Sequence, residues 1–407
     1  HSPYTLSLHD ALPISYFIER ILIPYLIVFL IRMIIMRKYK KMIFISCIII
    51  NCFVMSSCFS YRDINTVSFV TAMLIDVDDH GWPIVYTEAF KGSKGSAAQG
   101  VDQRVLFEGV GKTMFEAIRN MNAVSSYKLN FTQNKVILFT QKAAELGVSD
   151  YLDFLDRDQE LLLRPYIGVY VGDPEKLMKL EIIQEKYIGI LLKEIILNIG
   201  SSSRAITLSF NDFYNQRLMG DKTSVLPIID LKRNSLDAKL EINGGAVIKE
   251  DKMVSILTNQ QGQGFNFLMN SIIGGTLEIT NPCNINKFVT LEIRKSKTKT
   301  EVNYYDNIIH LKKKITVNVD FGEAQNKFTF TKKNVNEIQE KSEQNIVKAC
   351  NALFQTYKDK GIDTFDITEQ FNEKYPNITI PNIIKKTELK VDVEVQIMNI
   401  GDDKNFK

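Results

Sequence analysis

The sequence predicts an α+β protein in three parts, its mixed and antiparallel sheets covered by helices. Three observations carry that expectation. Leu389, Val391, Val393, Val395 and Ile397 alternate strictly with Lys390, Asp392, Glu394 and Gln396, and Ile315, Val317, Val319 and Phe321 alternate likewise. Period two puts one face on a core and the other in water, as in an antiparallel sheet. Stretches of helical spacing separate such runs, above all residues 335–357 with Ile338, Ile346, Ala349, Cys350, Leu353, Phe354 and Tyr357 on one face. The length from Cys58 to Lys407 also exceeds one typical domain.

The elements follow in chain order. Residues 67–78 and 83–90 read as a hairpin around the Asp78-Asp79-His80-Gly81-Trp82 turn. The small polar residues 91–100 form a loop, and 107–113 a glycine-punctuated approach to a helix. Thr113 and Glu116 have capping-box form, hydroxyl and carboxylate each serving a free amide, and Phe115, Ile118, Met121 and Val124 follow at helical spacing. Residues 135–140 make a strand, 141–156 an amphipathic helix and 165–172 another strand. Pro174 then opens a long helix to about Leu197, placed where its missing donor costs nothing. These elements make an N-terminal α+β domain, residues 58–195.

Ser201-Ser202-Ser203 lies near the start of a middle α+β domain, 196–280, with a short helix at 210–218 and a hairpin at 241–258 turning through Glu250-Asp251-Lys252. The C-terminal domain, 281–407, is an antiparallel sheet plus helix, the helix stopping at Gly361 after Lys358 and Lys360.

The N-terminal 57 residues belong to processing rather than to the fold. Residues 1–35 read as an artefact of the gene model: 1–15 resemble translated sequencing adapter, and 16–35 fit either upstream DNA or a short membrane helix, which needs roughly 20 mostly apolar residues. From Met36 the pattern is that of a lipoprotein signal peptide, 36–57. Arg37, Lys38, Lys40 and Lys41 precede an apolar run from Ile43 to Val54, and Val54-Met55-Ser56-Ser57-Cys58 closes it as a lipobox. Cys58 is the expected lipid-attachment residue. Two acyl chains at about 0.8 kcal/mol per buried CH₂ hold a protein stably on a membrane.

Those 57 residues carry six of the 50 Lys/Arg and two of the 47 Asp/Glu, so the remainder has a formal charge of about −1. A nucleic-acid partner would want a clustered basic face, and none is expected. Of the five cysteines, Cys283 and Cys350 remain after Cys47, Cys52 and Cys58; a disulfide between them outside the membrane stays open, and buried free thiols are the preferred reading. His80 and His310 have no companion at metal-ligand or catalytic spacing. Gly111-Lys112-Thr113 lacks the glycine five positions earlier that a phosphate loop requires, Leu106 standing there. Asp153, Asp156, Asp158 and Glu160 around Arg157 read as a solvated helix end, not a calcium loop. Lys312-Lys313-Lys314 and Lys385-Lys386 read as loop ends. No metal, cofactor or catalytic residue is expected.

One resemblance gathers these motifs. Cys58 is followed by Tyr61-Arg62-Asp63-Ile64-Asn65 and by Val70-Thr71-Ala72-Met73-Leu74-Ile75-Asp76. Glu108 to Thr113 with Glu116-Ala117, Lys135-Val136-Ile137, Tyr151 to Asp158 with Leu163-Arg164, Gly244 to Ile248, and Phe371 to Pro376 come next in order. The whole resembles the GerC-type, or Ger(x)C, spore germination lipoproteins. Phe59 and Ser60 replace that family's Trp-Asp, Leu74 its glycine, and Gln261-Gly262-Gln263-Gly264 its acidic-Thr-Arg-Gly string. The resemblance implies a three-domain lipoprotein on the outer face of the spore's inner membrane. It would be a non-enzymatic subunit of a nutrient germinant receptor, bound to two integral membrane subunits. Two other readings stay open: a solute-binding lipoprotein of a transporter, which would want two βα lobes around a cleft, and a surface hydrolase using paired carboxylates.

Overall fold

The computed structural model describes residues 23–55, 67–91, 104–158, 161, 164–181, 185–232, 237, 239–399 and 405–406. The chain divides into two compact units, residues 1–63 and 64–407. In the first, helix α1 (Ile23–Met55) runs unbroken through Met36 and the basic residues after it. Phe29, Ile34 and Phe44 are exposed along it. Among the described residues no helix is long and apolar enough to cross a membrane.

The second unit is built on a nine-stranded mixed sheet. Its strands are β1 (Val67–Val77), β2 (Pro83–Lys91), β3 (Arg104–Val110), β4 (Lys128–Asn130), β5 (Val136–Thr140), β6 (Tyr166–Tyr170), β7 (Thr223–Leu231), β8 (Leu240–Lys249) and β9 (Lys252–Leu257). The order is β3-β2-β1-β5-β6-β7-β8-β9, with β4 alongside β1. From β1 to β7 the strands are parallel; the pairs on either flank are antiparallel. Parallel strands covered on both faces read as apolar runs, and Val136–Thr140 is buried at every position.

Each face has its own helices. α2 (Met114–Val124), α3 (Gln141–Leu146), α4 (Ser149–Arg157) and α7 (Phe210–Gln216) cover one, packing on Met73, Ile75, Ile137 and Phe139. α5 (Pro174–Met178) and α6 (Ile188–Leu197) cover the other, packing on Leu74, Val136 and Leu138. The Glu250–Asp251 turn between β8 and β9 has both residues at positive φ, 49° and 66°, as a two-residue hairpin turn of matching twist requires.

The second sheet has the order β10-β11-β12-β14. β10 (Thr276–Asn281), β11 (Asn284–Tyr305) and β12 (Ile308–Ala324) are antiparallel neighbours. Two-residue β13 (Phe328–Thr329) pairs apart from them with β15 (Asn405–Phe406). α8 (Asn259–Leu268) precedes β10, whereas α9 (Lys332–Lys360) and α10 (Ile367–Lys374) lead to β14 (Thr387–Asn399). α8 and α9 share the core under this sheet through Phe265, Phe267, Ile346, Cys350, Leu353 and Phe354. Val225, Val247 and Leu257 of the first sheet join the same cluster.

The α+β class is as expected, and several particulars differ. Residues 107–110 belong to strand β3. The helix expected over 141–156 is two, parted at Gly147, whose φ is +129°. The helix from Pro174 is also two, though Pro174 does stand in its first turn, behind an Asp173 side-chain cap. On α2 the buried face is Met114, Ala117, Ile118 and Met121, while Phe115 and Val124 are 54% and 77% exposed. The C-terminal sheet is not wholly antiparallel, because β14 pairs with β12 in parallel after the crossover through α9 and α10. The boundary expected at 195/196 lies between β6 and β7, which share one sheet, and β10, expected in the middle part, pairs into the second sheet.

Buried charge locks β1, β2 and β3 to α6. Glu88 is fully buried on β2 and accepts from Thr71 Oγ1 (2.6 Å), Arg104 Nε (2.6 Å), Ile188 N (2.9 Å) and Gly189 N (3.1 Å). Arg104 also donates to the Met178 and Leu180 carbonyls, at 2.6 and 3.0 Å. Tyr187, at the N-cap of α6, gives no side-chain cap, so Glu88 supplies one from another element. A carboxylate there meets unpaired amides and the positive end of the helix dipole. Gly189 permits the approach: a Cβ would overlap the Thr71 carbonyl. Removing one partner of a buried pair costs about 3–5 kcal/mol. Glu88→Ala is therefore expected to lower stability by that amount in urea unfolding, and Glu88→Gln, which keeps part of the network, by less.

Candidate functional site

The positions singled out from sequence fall into three groups. Cys58, its lipobox end and Tyr61-Arg62-Asp63-Ile64-Asn65 lie outside the described residues, as does Glu160. A second group has local structural partners. Thr113 Oγ1 accepts from Glu116 N (3.2 Å), and the Glu116 carboxylate accepts from Lys112 N (2.7 Å), so a side chain occupies the amide that a phosphate would need. Asp153 pairs with Arg157, and Asp156 accepts from the Tyr214 hydroxyl. His80 is exposed beside Asp78. His310 stacks on Tyr305, ring centroids 3.8 Å apart, with Nδ1 3.8 Å from Glu388. Cys283 and Cys350 are both free thiols. Cys350 is buried as expected; Cys283 is exposed, its Sγ 3.4 Å from Asn334 Nδ2.

The third group is one the sequence misplaces. Lys312-Lys313-Lys314 lies mid-strand in β12 rather than at a loop end. Alternation turns Lys312 and Lys314 outward and Lys313 inward, where it is 2% exposed. Its ammonium donates to the Leu268 carbonyl and to Thr300 Oγ1, both at 2.9 Å. Leu268 ends α8, so its carbonyl lacks a helical donor. Burial lowers the Lys313 pKa to about 8, against the opposing fields of Asp366 and Asp363. Burial pushes the neighbouring Cys350 thiol up to about 12, so it stays neutral and is no nucleophile at ordinary pH.

Asp363 and Asp366 lie in the loop between α9 and α10. Asp363 accepts from Phe365 N (3.1 Å), Thr368 N (2.6 Å) and Thr368 Oγ1 (2.7 Å), which fixes the loop. Its own amide donates to Asp221 Oδ2 (3.0 Å), which also pairs with Lys249. Asp366 is held at φ +56° as the N-cap of α10, and its carboxylate caps nothing.

Asp366 is also one of the residues lining a partly enclosed cavity of about 120 Å³. β7 contributes Ser224, α7 Gln216, the segment before α7 Thr207, α8 Asn266, and the loop Thr364 and Asp366. Asn266 is already committed, donating to the Ser203 and Ala205 carbonyls. The hydroxyls of Ser224 and Thr364, each residue 3% exposed, have no hydrogen-bond partner.

Comparison with known proteins divides the chain near where this cavity is joined. A family model described as the spore germination protein N-terminal domain matches residues 60–231, and one described as spore germination B3/GerAC like, C-terminal, matches 243–401. The chain belongs to this family of spore germination proteins. Spore germination protein B3 of Bacillus subtilis is 23% identical over 368 residues, 84% of this chain and 94% of that one. Spore germination protein GerQC of Bacillus cereus is 26% identical over 242 residues, which are 60% of this chain and 65% of GerQC, just under two thirds of its length. The crystal structure of the GerBC protein shares the fold, with a TM-score of 0.52 at 15% identity over 80% of this chain and 97% of that one.

Within this germination-protein family frame, the quoted motifs have structural duties. Asp76 accepts from the Thr140 hydroxyl that caps α3. Gly244, at φ +84°, lies where a Cβ would overlap the Leu257 carbonyl. In the Phe371 to Pro376 turn, the Tyr375 hydroxyl accepts from Tyr304 N (3.2 Å) and Lys374 donates to the Val302 carbonyl (2.6 Å), which ties the turn to β11. Ser224 comes from the first matched region and Asn266, Thr364 and Asp366 from the second.

Burial, with the Asp363 and Glu369 carboxylates adding to it and Lys313 opposing, raises the Asp366 pKa to about 6. A folded value above the unfolded one means the folded state holds a proton that the unfolded state has released. Stability therefore falls as pH rises from about 4 to about 6, and above that window the charged group costs on the order of 2 kcal/mol. Asp366→Asn keeps the shape, and asparagine tolerates positive φ. The substitution is expected to raise stability at pH 7 by that order, with the gain disappearing near pH 4 in denaturant titrations of both forms.

Proposed function

We propose that this chain is the lipid-anchored, non-catalytic subunit of a nutrient germinant receptor. It is held through Cys58 at the outer face of the spore's inner membrane, where it binds two integral membrane subunits. The observation that carries the reading is the match of both germination-family regions, in order, on one chain. The lipobox from Val54 to Cys58, behind a basic and then an apolar segment, supports the anchor. A single lipid chain binds reversibly, and two anchor stably.

Among the described residues no group of three or more His, Cys, Asp or Glu side chains could hold a metal ion. The Cys350 thiol is buried and neutral, and His80 lies in a turn. For the transporter alternative, two separate lobes around a cleft would be wanted. Here residues 64–407 form one compact unit.

Metabolic palmitate labelling of wild type and Cys58→Ala tests the anchor, with germination assays on the resulting spores. Complete loss of label, release from the membrane fraction and loss of nutrient-triggered germination are expected together. Label that persists in Cys58→Ala would place the anchor elsewhere. Normal germination with lost nutrient uptake would favour the solute-binding alternative.

A further inference from the structure

We propose that copies of this chain associate head to tail by pairing two edges of the second sheet, β11 of one copy with β14 of the next. The inference does not rest on the receptor reading, because it concerns the edges of that sheet alone.

Each edge is plugged on either side of a short open stretch. β10 pairs with β11 only as far as Glu292. Beyond it, Thr298 N donates to Asn270 Oδ1 (2.7 Å), the Val302 carbonyl accepts from Lys374, and Tyr304 N donates to the Tyr375 hydroxyl. Backbone direction alternates along a strand, so Thr300 faces the same way. Among the described residues nothing meets its amide or carbonyl on that side. An open groove of about 390 Å³, with Thr300, Val302, Gln370 and Lys374 in its wall, runs along this stretch. On β14, Lys358 reaches the Thr387 carbonyl, while Gln339 and Glu343 take the carbonyl and amide of Val395. Leu389, Val391 and Val393 share that direction, and no described residue bonds them there. Their side chains, on the core face, are only partly buried, whereas Ile315 and Val317 of neighbouring β12 are fully buried.

Orientation fits one edge to the other. β11 runs antiparallel to β12, and β12 parallel to β14. A second copy shifted across the sheet in the same orientation therefore sets its β14 antiparallel to β11, outer faces flush. With Thr300 opposite Val391, those two residues exchange both backbone hydrogen bonds. Val393 N then donates to the Thr298 carbonyl and Val302 N to the Leu389 carbonyl, and no existing partner is displaced.

Charge selects this register. On the outer face it places Lys299 opposite Asp392, Lys297 opposite Glu394 and Glu301 opposite Lys390, every pair of opposite sign. A two-residue slip one way sets Glu301 against Glu388 and Lys299 against Lys390; the other way sets Glu301 against Asp392. Lys297, Lys299 and Glu301 have no ion pair among the described residues. Asp392 lies 3.5 Å from Lys312 of its own sheet and would be shared. Lysines on an edge strand guard it against indiscriminate pairing, and here β14 meets the pattern they impose. The contact is heterologous, so it extends copy by copy unless its rotation closes a ring.

The test cross-links the full chain, in detergent and low salt, through opposed positions of the outer face. Residues opposed in a non-hydrogen-bonded antiparallel pair lie about 4.5 Å apart between Cα atoms, within disulfide reach. Mixing Lys299→Cys with Asp392→Cys copies under mild oxidation should join those two positions, as mapped by mass spectrometry. The yield should be at least about tenfold above either variant alone, or Lys299→Cys mixed with Lys390→Cys, where the diagonal distance is about 7–8 Å. In sedimentation, the wild-type average mass should rise with concentration and fall back in about 0.5 M salt. Lys297→Glu with Lys299→Glu should weaken association about 10- to 100-fold, and adding Asp392→Lys with Glu394→Lys should restore it. Near-UV circular dichroism checks folding; if a charge reversal does not fold, the cysteine pair decides. A mixed disulfide no more abundant than its controls would overturn the proposal. So would a wild type that stays monomeric, or association that the first reversal leaves unmoved or the second fails to restore.

Discussion

The arrangement of the larger sheet depends on how a helix start is brought against three strands, and Glu88 is the group that does it. Its carboxylate gathers a hydroxyl from β1, a guanidinium from β3 and the first two amides of α6. An Arg–Glu pair alone is weak evidence for stability once desolvation is counted. Here the helix amides and the Thr71 hydroxyl satisfy what the pair leaves over. The guanidinium in turn reaches the carbonyls around the end of α5. One network thereby sets where α5 and α6 lie on that face of the sheet.

Much of this fold was legible because its strands follow one of two patterns. The β1–β2 hairpin, β5, β6 and the β8–β9 turn could be read from apolar runs bounded by turn residues. β7 could not: Pro227 lies inside it, and proline argues against a sheet interior. The strand accommodates it at a register shift between Pro227 and Ile229. β11 hid for another reason. Its register slips between Ile293 and Lys295, which moves the inward positions onto Ser296, Thr298 and Thr300. A one-residue slip exchanges the faces, so the apolar alternation ends in mid-strand.

The candidate site was less legible than the fold. Ser224, Thr364 and Asp366 share no spacing, and their meeting depends on a loop from one half reaching a strand in the other. Lys313 was hidden by its neighbours, since three consecutive lysines read as solvated until alternation turns the middle one inward. A signal was available in Ile309, Leu311, Ile315 and Val317, whose period places residue 313 on the core side. Gly262 and Gly264 also carried meaning beyond a departure from the family string. A Cβ at Gly262 would overlap the Arg204 carbonyl, and Gly264 packs against Ala349 of α9.

The parallel pairing of β12 with β14 has a consequence for how the chain acquires its structure. The two strands meet only after α9 and α10 have been laid down between them, so the contact is distant in sequence and carries a large loop-closure entropy. Until residues 387–399 arrive, the 17-residue β12 has one row of unpaired amides and carbonyls, a template for another chain. Folding of the second sheet is thus a late event in synthesis. A ribosome stalled after α10 would leave a sticky intermediate rather than a smaller stable protein.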